Sequence, residues 1–237
     1  MPGNPLGIEW SQWGNIRATL VRRPVLYYGY FNEIRRVRPG SEAELDEALA
    51  WFRSNGIACR MRLSPHQVDE HLISRLQGRG LHNAGSLSVL FADQLAPRAQ
   101  GVGTAAVRAL EASQRDAFLD LWLPDGALDV HLRTLGAAEF KDWHCYVAYL
   151  DDQPAAMACM YVIEGAGVLA SAWTRSLMRR SGCQSALIER RIADASAASC
   201  DLIISETEPD SASQRNLERA GLRLAFTQAI WEDQTRS

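Results

Sequence analysis

Several residue types and patterns are scarce in this chain of 237 residues, and each absence removes a class of function. Lys141 is the only lysine among 25 basic residues, and 28 acidic residues bring the net charge to −3. A charge so close to zero gives no global electrostatic basis for binding nucleic acid or an anionic membrane. The abundance of arginine is expected to reflect genome composition, so the pairs Arg179-Arg180 and Arg190-Arg191 are first interpreted as solvated.

Long apolar runs are also missing. The longest stretches, such as residues 155–163, are far shorter than the roughly 20 residues that a membrane-spanning helix needs. The first residues do not combine a basic segment with an apolar one, as an export signal would. We therefore expect a cytoplasmic protein without a membrane partner.

Neither the cysteines nor the histidines show the spacing of a metal site or a disulfide framework. The five cysteines are Cys59, Cys145, Cys159, Cys183 and Cys200, and the five histidines are His66, His71, His82, His131 and His144. We predict free, mostly buried thiols and no metal.

Residues 1–97 alternate predicted strands and helices and are expected to form a smaller α/β domain. Residues 25–37, rich in Tyr, Phe, Val and Ile, indicate a long strand or a hairpin. Ser41 and Glu44 have the spacing of a capping box and open an amphipathic helix that stops at Gly56. The remaining elements are a strand at 57–63, a helix that Ser64-Pro65 begins and Gly78 ends, and a strand at 86–91.

A connection is predicted over residues 92–103, whose Pro, Gly and polar residues place a domain boundary near Pro97. The second domain, 98–237, follows as a series of predicted elements. These are a strand at 102–110, helices near 114–123 and 128–135, a hairpin of 144–150 and 155–163 turned at 151–154, a strand at 168–174, a helix at 185–198, a strand at 201–206, a helix at 211–220 and a strand at 222–231. This order predicts a mixed sheet with helices on its faces, in the α/β or α+β class.

The first domain repeats a shortened version of the same order. A degenerate internal duplication and a generic α/β run explain this equally well.

The sharpest local signal is the stretch from Arg179 to Ser185, between the strand ending at Thr174 and the following helix. A strand, a turn with basic residues and Gly182, and then a helix present several free main-chain N–H groups to one point. The helix dipole adds positive potential there, so the turn suits a pyrophosphate. Gly182 lets a phosphate approach the main chain without meeting a Cβ.

A second interpretation of the same stretch needs no ligand. Ser181 and Gln184 also have the spacing of a capping box, which would make the turn an ordinary helix start.

The second domain resembles the Gcn5-related N-acetyltransferases (GNAT) in the order of its elements and in two motifs. Arg179-x-x-Gly182 fits the coenzyme loop of that family, Arg/Gln-x-x-Gly-x-Gly/Ala, although Gln184 stands at the last position. The run from Ser213 to Leu222, which contains Arg-Ala-Gly before the last strand, resembles the family's penultimate helix. The resemblance implies a mixed, mostly antiparallel central sheet flanked by helices, and acetyl-CoA as co-substrate.

The resemblance also implies which residues hold the coenzyme. The pantetheine arm would fill a gap where the strand ending at Thr174 diverges from the strand at 201–206, as an added strand would. The implied coenzyme-binding residues are Ala172, Trp173, Thr174, Arg179, Arg180, Ser181, Gly182, Cys183, Gln184, Ser185 and Asn216. For Asn216, a plain surface position on the helix is an equally good interpretation.

The proton-transfer groups follow less directly from the resemblance. The tyrosine that the family often uses as an acid is replaced by Leu217, with Tyr146 and Tyr161 as possible substitutes. Glu206, at the end of its strand, is the candidate base for an attacking amine, and an exposed loop carrying Glu206 and Glu208 is the alternative.

The expected function is transfer of an acetyl group to the amine of a small molecule or peptide, by direct attack. The first domain lacks a comparable glycine turn, so it is expected to bind no coenzyme and to shape the acceptor site or a homodimer contact. The alternative functions are an inactive acyl-CoA-binding or regulatory protein of the same fold, and an unrelated α/β interaction module.

Overall fold

The computed structural model describes residues 7–22, 32–93, 105–111 and 143–233. These residues form two compact units, one within Met1–Leu87 and Phe226–Ser237, the other within Ser88–Ala225. The boundary predicted near Pro97 lies outside the described residues, as do the helices predicted near 114–123 and 128–135.

The first unit is a sheet with two helices. Its elements are β1 (Ile8–Trp13), β2 (Ile16–Val21), β3 (Glu33–Arg35), α1 (Glu42–Ser54), β4 (Arg60–Leu63), α2 (Glu70–Gly78), the first residues of β5 (Leu81–Asp93) and the last residues of β11 (Arg223–Asp233). The strand order β1-β2-β3-β4-β11 is antiparallel throughout except between β3 and β4. Leu45, Leu49 and Phe52 of α1 are buried in its core, as the helical period predicts.

Two helix starts in this unit differ from the sequence prediction. Ser41 does precede α1, but its side chain caps no amide and instead donates from Oγ to the carbonyl of Arg38 at 2.6 Å. A short hydroxyl side chain that finds a nearby carbonyl competes with the capping bond. Pro65 begins only a 3₁₀ turn, and α2 starts later, at Glu70, where the Asp69 side chain accepts from the amide of Leu72.

The second unit carries most of the predicted elements. They are the end of β5, β6 (Ala106–Ala109), β7 (Trp143–Leu150), β8 (Gln153–Ile163), β9 (Ala166–Thr174), α3 (Cys183–Ala197), β10 (Leu202–Thr207), α4 (Ala212–Arg219) and the start of β11. The order is β5-β10-β9-β8-β7-β6, and among these described strands only the β10–β9 pair is parallel. The predicted mixed, mostly antiparallel sheet flanked by helices is confirmed.

The β7–β8 hairpin turns where the sequence predicts. Asp151 and Asp152 both have positive φ, 46° and 57°. Two left-handed residues are what a two-residue type I′ turn requires, and aspartate tolerates that conformation better than most side chains. No described helix has both the length and the apolar character that a membrane crossing needs.

One glycine sets how closely α3 approaches the sheet. A Cβ built on Gly167 of β9 would lie 2.8 Å from the Cβ of Ala195 and 3.1 Å from Cδ1 of Ile203. The first contact is with an atom attached directly to the helix backbone, so a larger residue must push α3 away from β9. Gly165 therefore serves the turn between β8 and β9, and Gly167 serves the packing of α3 against β9.

We expect Gly167→Ala to lower the free energy of unfolding by about 1–3 kcal/mol, because overpacking strains neighbouring backbone. Urea denaturation followed by circular dichroism measures the effect. Gly78→Ala is the matched control, since a Cβ at the end of α2 meets nothing within 4 Å. An equal loss in both variants would contradict the packing role of Gly167.

Candidate functional site

β9 and β10 pair in parallel only over part of their length. Their register runs from Leu202 opposite Ala166 to Ser205 opposite Leu169. β9 then continues to Thr174 and β10 to Thr207, and the described residues show no further pairing between these two strands. The predicted divergence of these two strands is confirmed, and beyond Leu169 one edge of β9 is not paired with β10.

A β-bulge at the same point explains why the strands part. Cys159 of β8 lies opposite Ala170, but Met157 lies opposite Trp173, so two residues of β9 face a single residue of β8. Ser171, one of the two, has a φ of 39°. A bulge bends its strand and sharpens the local twist. The sequence analysis did not predict it, since nothing about Ser171 marks a bulge.

The turn after β9 has the conformation that a glycine permits. Arg180 and Gly182 both have left-handed φ angles, 67° and 77°, and Cys183 begins α3. A Cβ placed on Gly182 would meet no atom within 4 Å, so the space in front of this residue is open. The turn therefore gives an approaching group access to the main chain.

The first turn of α3 keeps free amide groups. The amide of Ala186 donates to the carbonyl of Gly182 at 3.0 Å, which leaves the amides before it without an acceptor inside the helix. Of the described side chains, none caps α3. The amides of Gln184 and Ser185 and the positive end of the helix dipole thus remain available to an anion.

The interpretation of this turn as an ordinary capping box is wrong. Gly182, not Ser181, precedes the helix, so Gln184 is its second residue rather than its third. The Gln184 side chain points to α4 instead: Nε2 donates to Oγ of Ser213 at 3.0 Å, and Oε1 accepts from Nδ2 of Asn216 at 2.6 Å. The side chain that departs from the family motif therefore ties α3 to α4.

A cavity of about 700 Å³ lies among β9, the turn, α3 and α4. Its lining consists of Ala172, Trp173, Thr174, Met178, Arg179, Arg180, Gly182, Cys183, Gln184, Ser185, Ala212, Ser213, Asn216 and Arg219. All the predicted coenzyme-binding residues are brought together here except Ser181. The described lining contains three arginines and no aspartate or glutamate, so the cavity favours an anionic ligand.

Four of the lining residues were missed by the sequence analysis: Met178, Ala212, Ser213 and Arg219. Ser213 and Arg219 lie three residues before and after Asn216, one helical turn away on each side. The helical period around Asn216 would therefore have identified both. NH2 of Arg219 donates to Oδ1 of Asn216 at 2.6 Å, which holds the guanidinium beside the cavity.

The cavity also contains a thiol, that of Cys183. Burial raises the pKa of the Cys183 thiol above its usual value, although a hydrogen bond from its own main chain acts in the opposite direction. The group is therefore protonated at neutral pH and is not set up as a nucleophile. All five cysteines are free, as the sequence predicts.

The proton-transfer candidates lie outside the cavity lining. Glu206 is exposed and is the first residue of β10 beyond the last residue paired with β9. Leu217 is buried in the core of the second unit. Tyr146 is fully buried there too, and burial raises its pKa. Tyr161, on β8, does not line the cavity either.

Across residues 7–22, 32–93, 105–111 and 143–233, no group of three or more His, Cys, Asp or Glu side chains is arranged to hold a metal ion.

No protein-family model and no curated protein matches the sequence. Solved structures do match. A GCN5-related N-acetyltransferase from Kribbella flavida aligns over 99% of this chain and 93% of its own, with a TM-score of 0.71 and 15% identity. Another, from Sphaerobacter thermophilus, has a TM-score of 0.69 and 12% identity over 92% of this chain and 76% of its own.

A tandem GNAT protein from the clavulanic acid biosynthesis pathway matches as well. It aligns over 93% of this chain and 80% of its own, with a TM-score of 0.64 and 13% identity. At such identities the likeness is one of fold, and it extends through both units.

Proposed function

We propose that this chain, which has the fold of the GCN5-related N-acetyltransferases, binds acetyl-CoA in the cavity of the second unit and transfers the acetyl group to an amine. One observation carries the proposal. The free amides at the start of α3, the edge of β9 that β10 does not pair and three arginines line one cavity, whose described lining holds no carboxylate. That combination suits a ligand with a pyrophosphate at one end and amide groups along its length.

Each part of the site has a task in this proposal. The amides of Gln184 and Ser185 and the arginines at 179 and 180 hold the pyrophosphate. The main chain of residues 172–174 hydrogen-bonds the pantetheine arm as a neighbouring strand would. Asn216 and Arg219 close the site from α4. Because main-chain groups do most of this work, the side chains along β9 are free to vary.

Bound acetyl-CoA supplies an acyl group activated as a thioester. Main-chain N–H groups at the β9 bulge stabilise the negative charge that develops on the carbonyl oxygen as the amine attacks. Glu206 removes the proton from the amine, directly or through water. A departing thiol with a pKa of ~8.5 is stable enough as thiolate to leave without a dedicated acid, which is consistent with a leucine at 217. Since acetyl-CoA is a cytoplasmic metabolite, the proposal includes a cytoplasmic location.

A second candidate is a protein that binds the coenzyme without catalysis. It is favoured by the described cavity lining, which contains no Tyr, His, Asp or Glu that would handle a proton.

Titration calorimetry with acetyl-CoA, followed by thiol release over a panel of small amines and peptide N-termini, separates these functions. We expect saturable binding and release that depends on one class of amine. Binding without release above the hydrolysis background would favour the second candidate. Absence of binding would leave the turn before α3 as a structural feature of an interaction module.

A further inference from the structure

A buried arginine behind β9 has no part in the function proposed so far. Arg191, on the inner face of α3, is only 2% exposed. Its Nε donates to the carbonyl of Leu187 at 3.0 Å, one turn earlier in the helix. NH1 donates to the carbonyl of Cys159 on β8 at 3.0 Å and to that of Ala170 on β9 at 3.3 Å. A single guanidinium thus bridges two strands.

The charge of this side chain is costly where it lies. Burial lowers the pKa of Arg191 to about 10, so it remains a cation at neutral pH. The hydrogen bonds it makes to described residues all go to main-chain carbonyls, and none goes to a carboxylate. Well-packed apolar side chains generally stabilise such a position at least as well as a buried ion does. Stability alone therefore does not explain an arginine here.

The carbonyls that Arg191 binds mark the edge of the bulge. Cys159 and Ala170 are the last register pair before two residues of β9 face one of β8. The peptide unit that Arg191 binds at Ala170 continues into Ser171, whose φ is 39°. A hydrogen bond from a cation to a carbonyl polarises the whole peptide unit and makes its N–H, here that of Ser171, a stronger donor.

We infer that Arg191 is a positioning residue for acyl transfer. By bridging the carbonyls of Cys159 and Ala170 it fixes the shape of the bulge, and through it the direction of the β9 main chain that lines the cavity at residues 172–174. It also strengthens the N–H of Ser171, one of the bulge groups proposed to stabilise the developing oxyanion. The inference rests on the proposed function, but the bridge between the strands is independent of it.

The test compares Arg191→Lys with Arg190→Lys, the same change at the neighbouring position on α3. Arg190 is one-third exposed and pairs with Asp194, so its variant controls for the general cost of the substitution. A lysine at 191 keeps a charge but has no second nitrogen to bind the Leu187 carbonyl, so it cannot fix its donor between the two strand carbonyls. We expect kcat for thiol release to fall about tenfold or more in Arg191→Lys, with coenzyme affinity within about threefold of wild type. We expect Arg190→Lys to keep the wild-type kcat and the wild-type coenzyme affinity.

A second measurement does not need turnover. Amide hydrogen exchange of residues 169–174, followed by mass spectrometry, is expected to speed up in Arg191→Lys and not in Arg190→Lys. If the wild type fails to release thiol, the proposed function fails and the role in acyl transfer fails with it; exchange then decides only whether Arg191 fixes the bulge. Where the wild type turns over, an unchanged kcat in Arg191→Lys would overturn the inference. Unchanged exchange would overturn the bridging role in either case.

Should Arg191→Lys not fold, Ser171→Val tests the bulge from the strand side. A β-branched residue disfavours the positive φ that Ser171 adopts in the bulge, and it leaves Arg191 in place. A lower kcat at unchanged coenzyme affinity supports the inference, and a wild-type kcat overturns it.

Discussion

Replacing Gly182 by Asp should weaken acetyl-CoA binding by about 100-fold or more, because it places a negative charge where the pyrophosphate is proposed to bind. The carboxylate also acts within the protein. It lies one residue before α3 and can accept from the free amides of Gln184 and Ser185, as aspartate does at many helix starts. The variant thus repels the ligand and occupies the donors the ligand would use.

Gly182→Asn is the matched control for this change. Asparagine has the size of aspartate and takes the left-handed conformation about as readily, so both variants bear the same cost at a φ of 77°. Because no atom lies within 4 Å of a Cβ at this position, neither variant creates a clash. We expect Asn to weaken binding by less than about tenfold, so that the difference between the variants isolates charge.

Titration calorimetry with acetyl-CoA measures both affinities, and circular dichroism checks that both variants fold. Equal affinities for Gly182→Asp and wild type would mean that the phosphates bind elsewhere, and the proposed site would then be wrong.

The sequence predicted the part of the site that depends on local structure. Gly182 indicates the turn before a helix, because few other residues adopt its positive φ. Arg179 and Arg180 lie in the same turn. The strand at 168–174 before this turn and the helix after it were predicted as well, although the parallel pairing of that strand was not. In the first unit, the β1–β2 hairpin was missed although Gly14-Asn15 between alternating residues is a recognised hairpin signal.

The expectation that Arg190 and Arg191 are both solvated is wrong for Arg191, which is buried. It lies four residues after Leu187 and three after Ile188, so the helical period places it on the buried face. The position of Arg191 on the apolar face of the helix therefore predicts its burial better than its charge predicts exposure. Arg190, one residue earlier, is the half of the pair that reaches the surface.

The bulge at Ser171 could not have been predicted in this way. Whether a strand has an extra residue depends on its partner strand, and β8 and β9 are each a run of small and apolar residues with no Gly or Pro at the irregular position. Serine gives no hint of a φ of 39°. The hydrogen bond from Asn216 to Gln184 could not have been predicted either, because it depends on how α3 and α4 pack together.

Glu206→Gln should lower kcat by about 100-fold while coenzyme affinity stays the same, since a general base typically contributes 10²–10⁴ in rate. Glu206 follows Ser205, the last residue of β10 that pairs with β9, and so lies where the two strands part. Glutamine keeps the shape of the side chain and removes its ability to take a proton. Thiol-release assays at saturating acetyl-CoA give kcat, and titration calorimetry gives the affinity for acetyl-CoA.

Glu208→Gln is the control, because Glu208 is exposed, carries the same charge and lies two residues away. If both carboxylates only contribute negative potential, Glu206→Gln and Glu208→Gln lower kcat equally. If Glu206 is the base, only Glu206→Gln lowers kcat. Equal rates in all three proteins would remove Glu206 from the mechanism and leave the amine to lose its proton to water.

The pH dependence distinguishes a lost base from a damaged site. An alkyl amine with a pKa of roughly 10 is mostly protonated at neutral pH and cannot attack in that form. In Glu206→Gln the neutral amine must come from solution, so the rate should rise with pH toward the pKa of the amine and approach that of wild type. A variant whose main chain had shifted would lose the oxyanion contacts at every pH, and raising the pH would not restore it. Recovery at high pH is therefore the result that only proton removal by Glu206 explains.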